Sequence, residues 1–345
     1  SVFPFVRGSS RLQQAVFVPF RYRASLPAVV AVMLVAPAAP AADAVRHIAF
    51  TYSAMLDSLP AGVGPVHIFL PIATNTPHQQ VLSREITASI PGELREEPGY
   101  GNLFWHGMVA ESDGAPITVD IRCLVRRSGV SASADAAPEA DRASLARFLA
   151  PNALVPVGGE LIDPIADTIA PGEDSPRRIA RAVYDYVIDH MVYSKEGAGW
   201  GAGNTSWACD ARYGNCTDFH ALFISLARAR GIPARFEIGF PIPMDRSAGR
   251  VTGYHCWVNF HLPGAGWIPA DASEARKHPG QRDFLFGNLR PDRIRFSVGR
   301  DLELGKGHTT GPLNFFIYPH VEVAGKIYEG VTTRFAFEER HATTP

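Results

Sequence analysis

The chain has 345 residues, room for roughly two domains of about 150 residues each, and its 46% hydrophobic and 19% charged residues are those of a folded protein with buried cores. Its 33 Lys and Arg against 34 Asp and Glu leave a net charge of -1, with no basic tract interleaved with aromatics, so neither nucleic acid nor an anionic membrane surface is an evident partner. Four cysteines are too few for a disulfide scaffold, and no CxxC pair or HExxH motif marks a zinc site.

In chain order, Arg21 and Arg23 precede an apolar run over residues 26–35, and a small-residue stretch over 36–42 follows, in which Ala39-Pro40-Ala41 fits a small-x-small cleavage site. Residues 1–42 read as a secretory signal peptide, because the apolar run is about half the length that a membrane-spanning helix needs. The expected mature chain begins near Ala42 or Asp43, holds no further stretch able to span a bilayer, and is exported to the periplasm or beyond the cell.

Residues 43–127 have strand character, with short runs at 66–70 and 117–121 punctuated by Pro, Gly and Asn, and they predict a small antiparallel β domain. Residues 128–141, rich in Ser, Ala and Asp, have little to bury and read as a linker. The remainder divides into a catalytic domain with a C-terminal extension over 142–337 and a tail over 338–345. Within it, Ser175-Pro176 supplies an N-cap and an N1 proline for a helix whose apolar face is Ile179, Val183, Tyr186, Val187 and Met191.

A glycine-rich stretch over 197–203 leads to a second helix predicted over 217–230, with Phe219, Leu222, Phe223 and Leu226 apolar, Gly231 just past its end and Pro233 beyond. Cys216 therefore starts that helix, where unpaired N–H groups and the positive end of the dipole favour a thiolate. A small buried hydrophobe is the plainer reading of such a cysteine. Further on, residues 253–260 alternate as a strand, and Trp267-Ile268-Pro269-Ala270-Asp271 resumes extended chain after the turn-rich 262–266. An unbulged antiparallel hairpin centred on residue 263 would set His255 opposite Asp271, with the carboxylate fixing the imidazole and the free ring nitrogen facing a thiol.

Three stretches together carry a resemblance: Gly214-Asn215-Cys216-Thr217-Asp218-Phe219 opening a helix that runs to Gly231-Ile232-Pro233-Ala234-Arg235, then Tyr254-His255-Cys256-Trp257, then Gly266-Trp267-Ile268-Pro269-Ala270-Asp271. In this order and separation the chain resembles the transglutaminase-like superfamily of papain-related cysteine enzymes, in its exported bacterial branch, over about residues 175–275. The resemblance implies an α+β fold in which a helix carrying the cysteine packs on an antiparallel sheet carrying His and Asp, preceded here by the small β domain. It also implies that Cys216 attacks an amide carbonyl, His255 moves the proton and Asp271 orients His255, through a thioester that passes to water or to a primary amine, with no cofactor and no metal. Its oxyanion would be held by the Cys216 N–H and an upstream donor, for which Trp200 and Trp207 stand as candidates, while Trp257 lines the site beside His255.

Among the neighbours, His220 lies four after Cys216 on the same helix and could touch the site, a surface or satisfied-core histidine being the plainer reading; Asp218 suffices as a helix-start carboxylate, and Cys256 is expected to point to the opposite face. In an oxidising compartment Cys123, Cys209 and Cys256 allow at most one disulfide if Cys216 stays free, and Cys209 with Cys256, both in the catalytic domain, is the expected pair. Peptide or protein amides are the expected substrates, hydrolysis is favoured over crosslinking, and a non-catalytic assembly protein is the other alternative. A metal site built from Cys209, Cys216, His220 and His255 is disfavoured by an uncommon ligand spacing.

Overall fold

The computed structural model describes residues 44–132 and 142–340; the signal-peptide reading of 1–42, most of the 128–141 linker and the end of the tail lie outside the described residues. No helix among the described residues is long and apolar enough to cross a membrane.

Strict alternation builds the first strand, Val45–Leu56, which buries Ile48, Phe50, Tyr52, Ala54 and Leu56 and turns the intervening side chains outward. It lies between Ile117–Ser128 and the last strand, Thr332–Arg340, in a five-stranded antiparallel sheet completed by Gln79–Ala88 and Ala248–Val251. The N-terminal strands thus pair directly with a C-terminal strand that runs on past residue 337, and the described residues form one compact unit. A second five-stranded sheet has the order Lys326–Ile327, His320–Val323, Val66–Pro71, Leu103–Val109, Gly92–Glu96.

The third large sheet positions the site. Its four antiparallel strands are ordered Gly266–Ala270, His255–Leu262, Ala234–Pro241, Arg293–Val298. Every residue of His255–Leu262 is buried, so this strand has no solvent face. The helix Cys216–Ala229 packs on this sheet, and it too is buried on all sides from Cys216 to Arg228 rather than showing the polar face that its sequence suggested. The helix Pro176–His190 covers it with Ile179, Val183, Val187 and also Tyr184, which the sequence pattern had passed over in favour of Tyr186. Ser175 occupies that helix's N-cap position, yet its side chain caps nothing. Aromatic rings join the four-stranded sheet to the N-terminal sheet, with Phe50 5.1 Å from Phe240 and Phe335 4.4 Å from Phe240. The result is the α+β arrangement that the resemblance implied, a cysteine-bearing helix on an antiparallel sheet.

Candidate active site

The start of the Cys216 helix is fixed by a reciprocal cap. Asn215 accepts the Thr217 N–H through its side chain (2.9 Å), while Asp218 accepts the Asn215 N–H (2.9 Å). Asp218 does more than balance a dipole. Fully buried, it also accepts the N–H groups of Gly201 (2.8 Å) and Gly203 (2.9 Å), and so ties the glycine-rich loop to the helix. Gly199 in that loop, at φ +94°, presents bare backbone to Trp207, whose indole nitrogen a Cβ would meet at 2.4 Å.

The hairpin register differs from expectation. Val258 pairs with Ala270 and Leu262 with Gly266, so the hairpin centres on residue 264, because Gly264 and Gly266, both at positive φ, set a loop of Pro263, Gly264 and Ala265. His255 and Asp271 are therefore not cross-strand partners. Asp271 leaves the sheet to cap the helix Ala272–Lys277, its Oδ1 accepting the Glu274 N–H (3.0 Å) and the Ser273 hydroxyl (3.0 Å). From that cap its Oδ2 reaches His255 Nε2 at 2.6 Å. The pair expected from the strands is made by a strand end and a helix cap.

The other side of the imidazole meets Cys216. Burial alone would push the Cys216 thiol up, but hydrogen bonds with Cys256 and His255 bring it well below the ordinary thiol range. Burial likewise opposes a charged His255, yet the charge and hydrogen bond of Asp271, with Cys216 on the far side, raise its pKa to about 10. Asp271 is held well below the carboxylate range against its burial by His255 and by Arg293, whose Nη1 donates to Oδ2 at 2.8 Å. A thiolate, an imidazolium, a carboxylate and a guanidinium thus alternate in charge within one buried line. Such an arrangement can attack an electrophilic carbon and return a proton to the group that leaves.

His220 is a buried core histidine that also borders the site, and Cys256 lies in the site rather than on the opposite face. The Cys256 thiol lies against Cys216 and 3.4 Å from His220 Nδ1; burial and then that contact push its pKa well above the ordinary thiol value. His220, one turn along from Cys216, sits with Nε2 3.6 Å from Asp271 Oδ1, and burial lowers its pKa to about 4. All four cysteines are free, so the expected Cys209–Cys256 disulfide does not form, Cys256 being engaged with Cys216 instead. The sequence signal for His220 was its spacing of four from Cys216. Arg293 had none, being supplied by the strand on the far edge of the sheet.

The tryptophans separate. Trp257 lies beside the site, its ring tilted 34° to that of His255 at 6.4 Å between centres, but its N–H donates to Glu237 (3.0 Å). Trp200 donates to Gly197 O (3.2 Å), and Trp207 packs against Gly199 and Tyr213. The Tyr254 hydroxyl, which accepts from Asn215 Nδ2 at 3.1 Å, is the phenol nearest the cap of the Cys216 helix. A cleft of about 490 Å³ walled by Tyr193, Pro241, Met244, Tyr254 and Lys277 opens on His255.

Residues 163–272 match the profile of the transglutaminase-like superfamily. The chain is 27% identical over 197 residues to an uncharacterized protein of Haemophilus influenzae, covering 48% of this chain and 53% of that one, so it spans about half the length of this curated relative. It is 27% identical over 81 residues to the uncharacterized protein YebA of Bacillus subtilis, covering 21% of this chain and 11% of that one. Among solved structures it is similar to a candidate cysteine protease from Cytophaga hutchinsonii, with a TM-score of 0.52 and 16% identity over 86% of this chain and 100% of that one, a likeness of fold.

Proposed function

From the premise that residues 163–272 belong to the transglutaminase-like superfamily, we propose that this chain is a cysteine enzyme that cleaves amide bonds of peptides or proteins, with Cys216, His255 and Asp271 as its catalytic residues. The observation that carries the reading is His255 held between a helix-start cysteine and a buried carboxylate 2.6 Å away.

The Cys216 thiolate adds to the amide carbonyl, and the oxyanion that forms is met by the Cys216 N–H at the start of its helix. Collapse breaks the C–N bond as His255 gives its proton to the departing amine, leaving a thioester on Cys216. Water then loses a proton to His255 while attacking the thioester, and the acid leaves with Cys216 again a thiolate. Asp271 holds the ring in place and stabilises its cationic form throughout.

Hydrolysis is favoured over transfer to an amine because the cleft that opens on His255 is bordered by exposed side chains, Met244 at 41% and His278 at 56%, and so is open to water at its rim. The signal-like stretch before residue 43 supports an exported enzyme that meets peptide amides outside the cytoplasm.

The test is product analysis on a peptide library with excess primary amine, run on wild type and Cys216→Ala. Free acid products that vanish in the variant are expected. Predominant amine adducts would replace hydrolysis with crosslinking, and equal turnover by the variant would end the cysteine mechanism.

A further inference from the structure

On a different sheet from the Cys216 line, one face of the second five-stranded sheet gathers imidazoles. Glu322 pairs across strands with His67, and Phe69 pairs with His320 on one side and His106 on the other, so alternation puts all five side chains on the same face. The loop between Leu302 and Leu313 lays a further imidazole, His308, over them, its ring 5.1 Å from that of His320. His308 has no exposed side-chain surface, and its Nε2 is buried without a hydrogen-bond partner. An orphaned buried nitrogen costs free energy unless something fills its coordination.

That nitrogen aims at a set of donors. It lies 3.9 Å from Glu322 Oε1, and His320 Nε2 lies 3.1 Å from the same oxygen; the ligand atoms of the three residues fall within 4.8 Å of one another. Ligands about 2.0–2.2 Å from a tetrahedral ion sit roughly 3.3–3.5 Å apart, so these separations bracket what a shared ion requires. The carboxylate is already oriented by the Thr309 N–H (3.0 Å) and the Thr310 hydroxyl (2.9 Å). Such supports around a ligating group are what tune an ion site.

We propose that His308, His320 and Glu322 form a binding site for a divalent transition-metal ion of the zinc class, pinning the 303–312 loop to the sheet. Two imidazoles and one carboxylate suit zinc and its neighbours and do not suit calcium or magnesium, which take oxygen ligands. The Leu304 N–H donates to His308 Nδ1 (3.2 Å), and Glu303 Oε2 stands 3.5 Å from that nitrogen. Binding through Nε2 needs each ring in its Nδ1–H form: the Nε2 proton leaves to solvent and Nδ1 takes one up from solvent, with Glu303 replacing the Leu304 N–H as the partner of His308 Nδ1. The fourth position is left for water.

The test uses the untagged full chain with Cys216 alkylated by iodoacetamide, so that no thiolate at that site competes for metal. Titration with zinc chloride should give one bound equivalent that survives gel filtration, with affinity at least tenfold weaker in His308→Ala and Glu322→Gln. Cobalt(II) in its place should give a four-coordinate absorption spectrum with no thiolate charge-transfer band. If the variants fail to fold, X-ray absorption on the zinc-loaded wild type decides, two imidazole nitrogens at about 2.0–2.1 Å being required. No stoichiometric binding, an ion retained by both variants, or a thiolate band would each overturn the site.

Discussion

Arg293 sets its Nη1 2.8 Å from Oδ2 of Asp271, the same oxygen that lies 2.6 Å from His255. The guanidinium is itself buried, paired with Asp292 at 2.9 Å and laid 5.1 Å over the Trp257 ring. A cation that cannot lose its proton beside Asp271 keeps the carboxylate ionised whichever charge His255 carries during turnover. Arg293 is in this sense a positioning residue for the proposed reaction. Arg293→Gln should lower kcat/KM about tenfold and move its acid limb to higher pH, because Asp271 then protonates more readily, while Arg293→Lys should restore much of both. Pure packing by Arg293 would leave the limb where it is in both variants, and pH–rate profiles of amide turnover decide.

What the sequence made legible was the local chemistry. Cys216 at the start of a helix, and His255 and Asp271 on two successive extended segments, could be read from caps, turns and alternation, because those signals lie within a few residues of the groups they place; that His255 opens its strand and Asp271 caps a helix could not. Arg293 and Cys256 could not. Arg293 reaches the site by crossing the sheet from its edge strand, and Cys256 was assigned to the wrong face because a strand buried on both sides has no empty face to predict. The hairpin register slipped by the one-residue shift of its centre that two positive-φ glycines impose. His67, His106, His308 and His320 follow no spacing rule, since sheet pairing and a loop bring them together.

Asp218 accepts three backbone N–H groups while fully buried, and burial raises its pKa against their pull. In Asp218→Asn the amide keeps one acceptor and turns an NH₂ toward donors, so at least one N–H loses its partner. The variant should lose about 2–4 kcal/mol of stability and loosen the 197–203 loop. Urea unfolding measures the first and hydrogen exchange at Gly201 and Gly203 the second. A loss below about 0.5 kcal/mol would mean that water satisfies those groups and that the tie is not structural.

His220 carries a pH signature. Burial lowers its pKa to about 4, so as pH falls the unfolded chain, at about 6.5, binds this proton first. The folded state is therefore penalised progressively from pH 6.5 downward, by about 3 kcal/mol once pH has passed through 4. His220→Gln removes that penalty. The stability advantage of wild type over His220→Gln at pH 7 should shrink or reverse by pH 4.5 in urea unfolding. A gap that stays constant over this range would show that His220 titrates alike in both states.

The last prediction concerns the thiol beside Cys216, the proposed nucleophile. Cys256 holds its proton tightly, its pKa pushed up by burial and by Cys216, and Cys216 is brought down first by Cys256 and then by His255. Cys256 is therefore a donor to the thiolate, one that a buried anion needs in place of water. Cys256→Ala should shift the acid limb of Cys216 alkylation by iodoacetamide about one pH unit upward, the worth of one hydrogen bond, with folding intact because alanine leaves only a small gap. Cys256→Ser keeps a donor of nearly the same shape and should hold the limb at or below the wild-type position. Alkylation rates followed by mass spectrometry from pH 4 to 9 separate the cases. Serine shifting the limb as far as alanine would assign the effect to sulfur packing. Alanine leaving it unmoved would mean that His255 alone keeps Cys216 ionised.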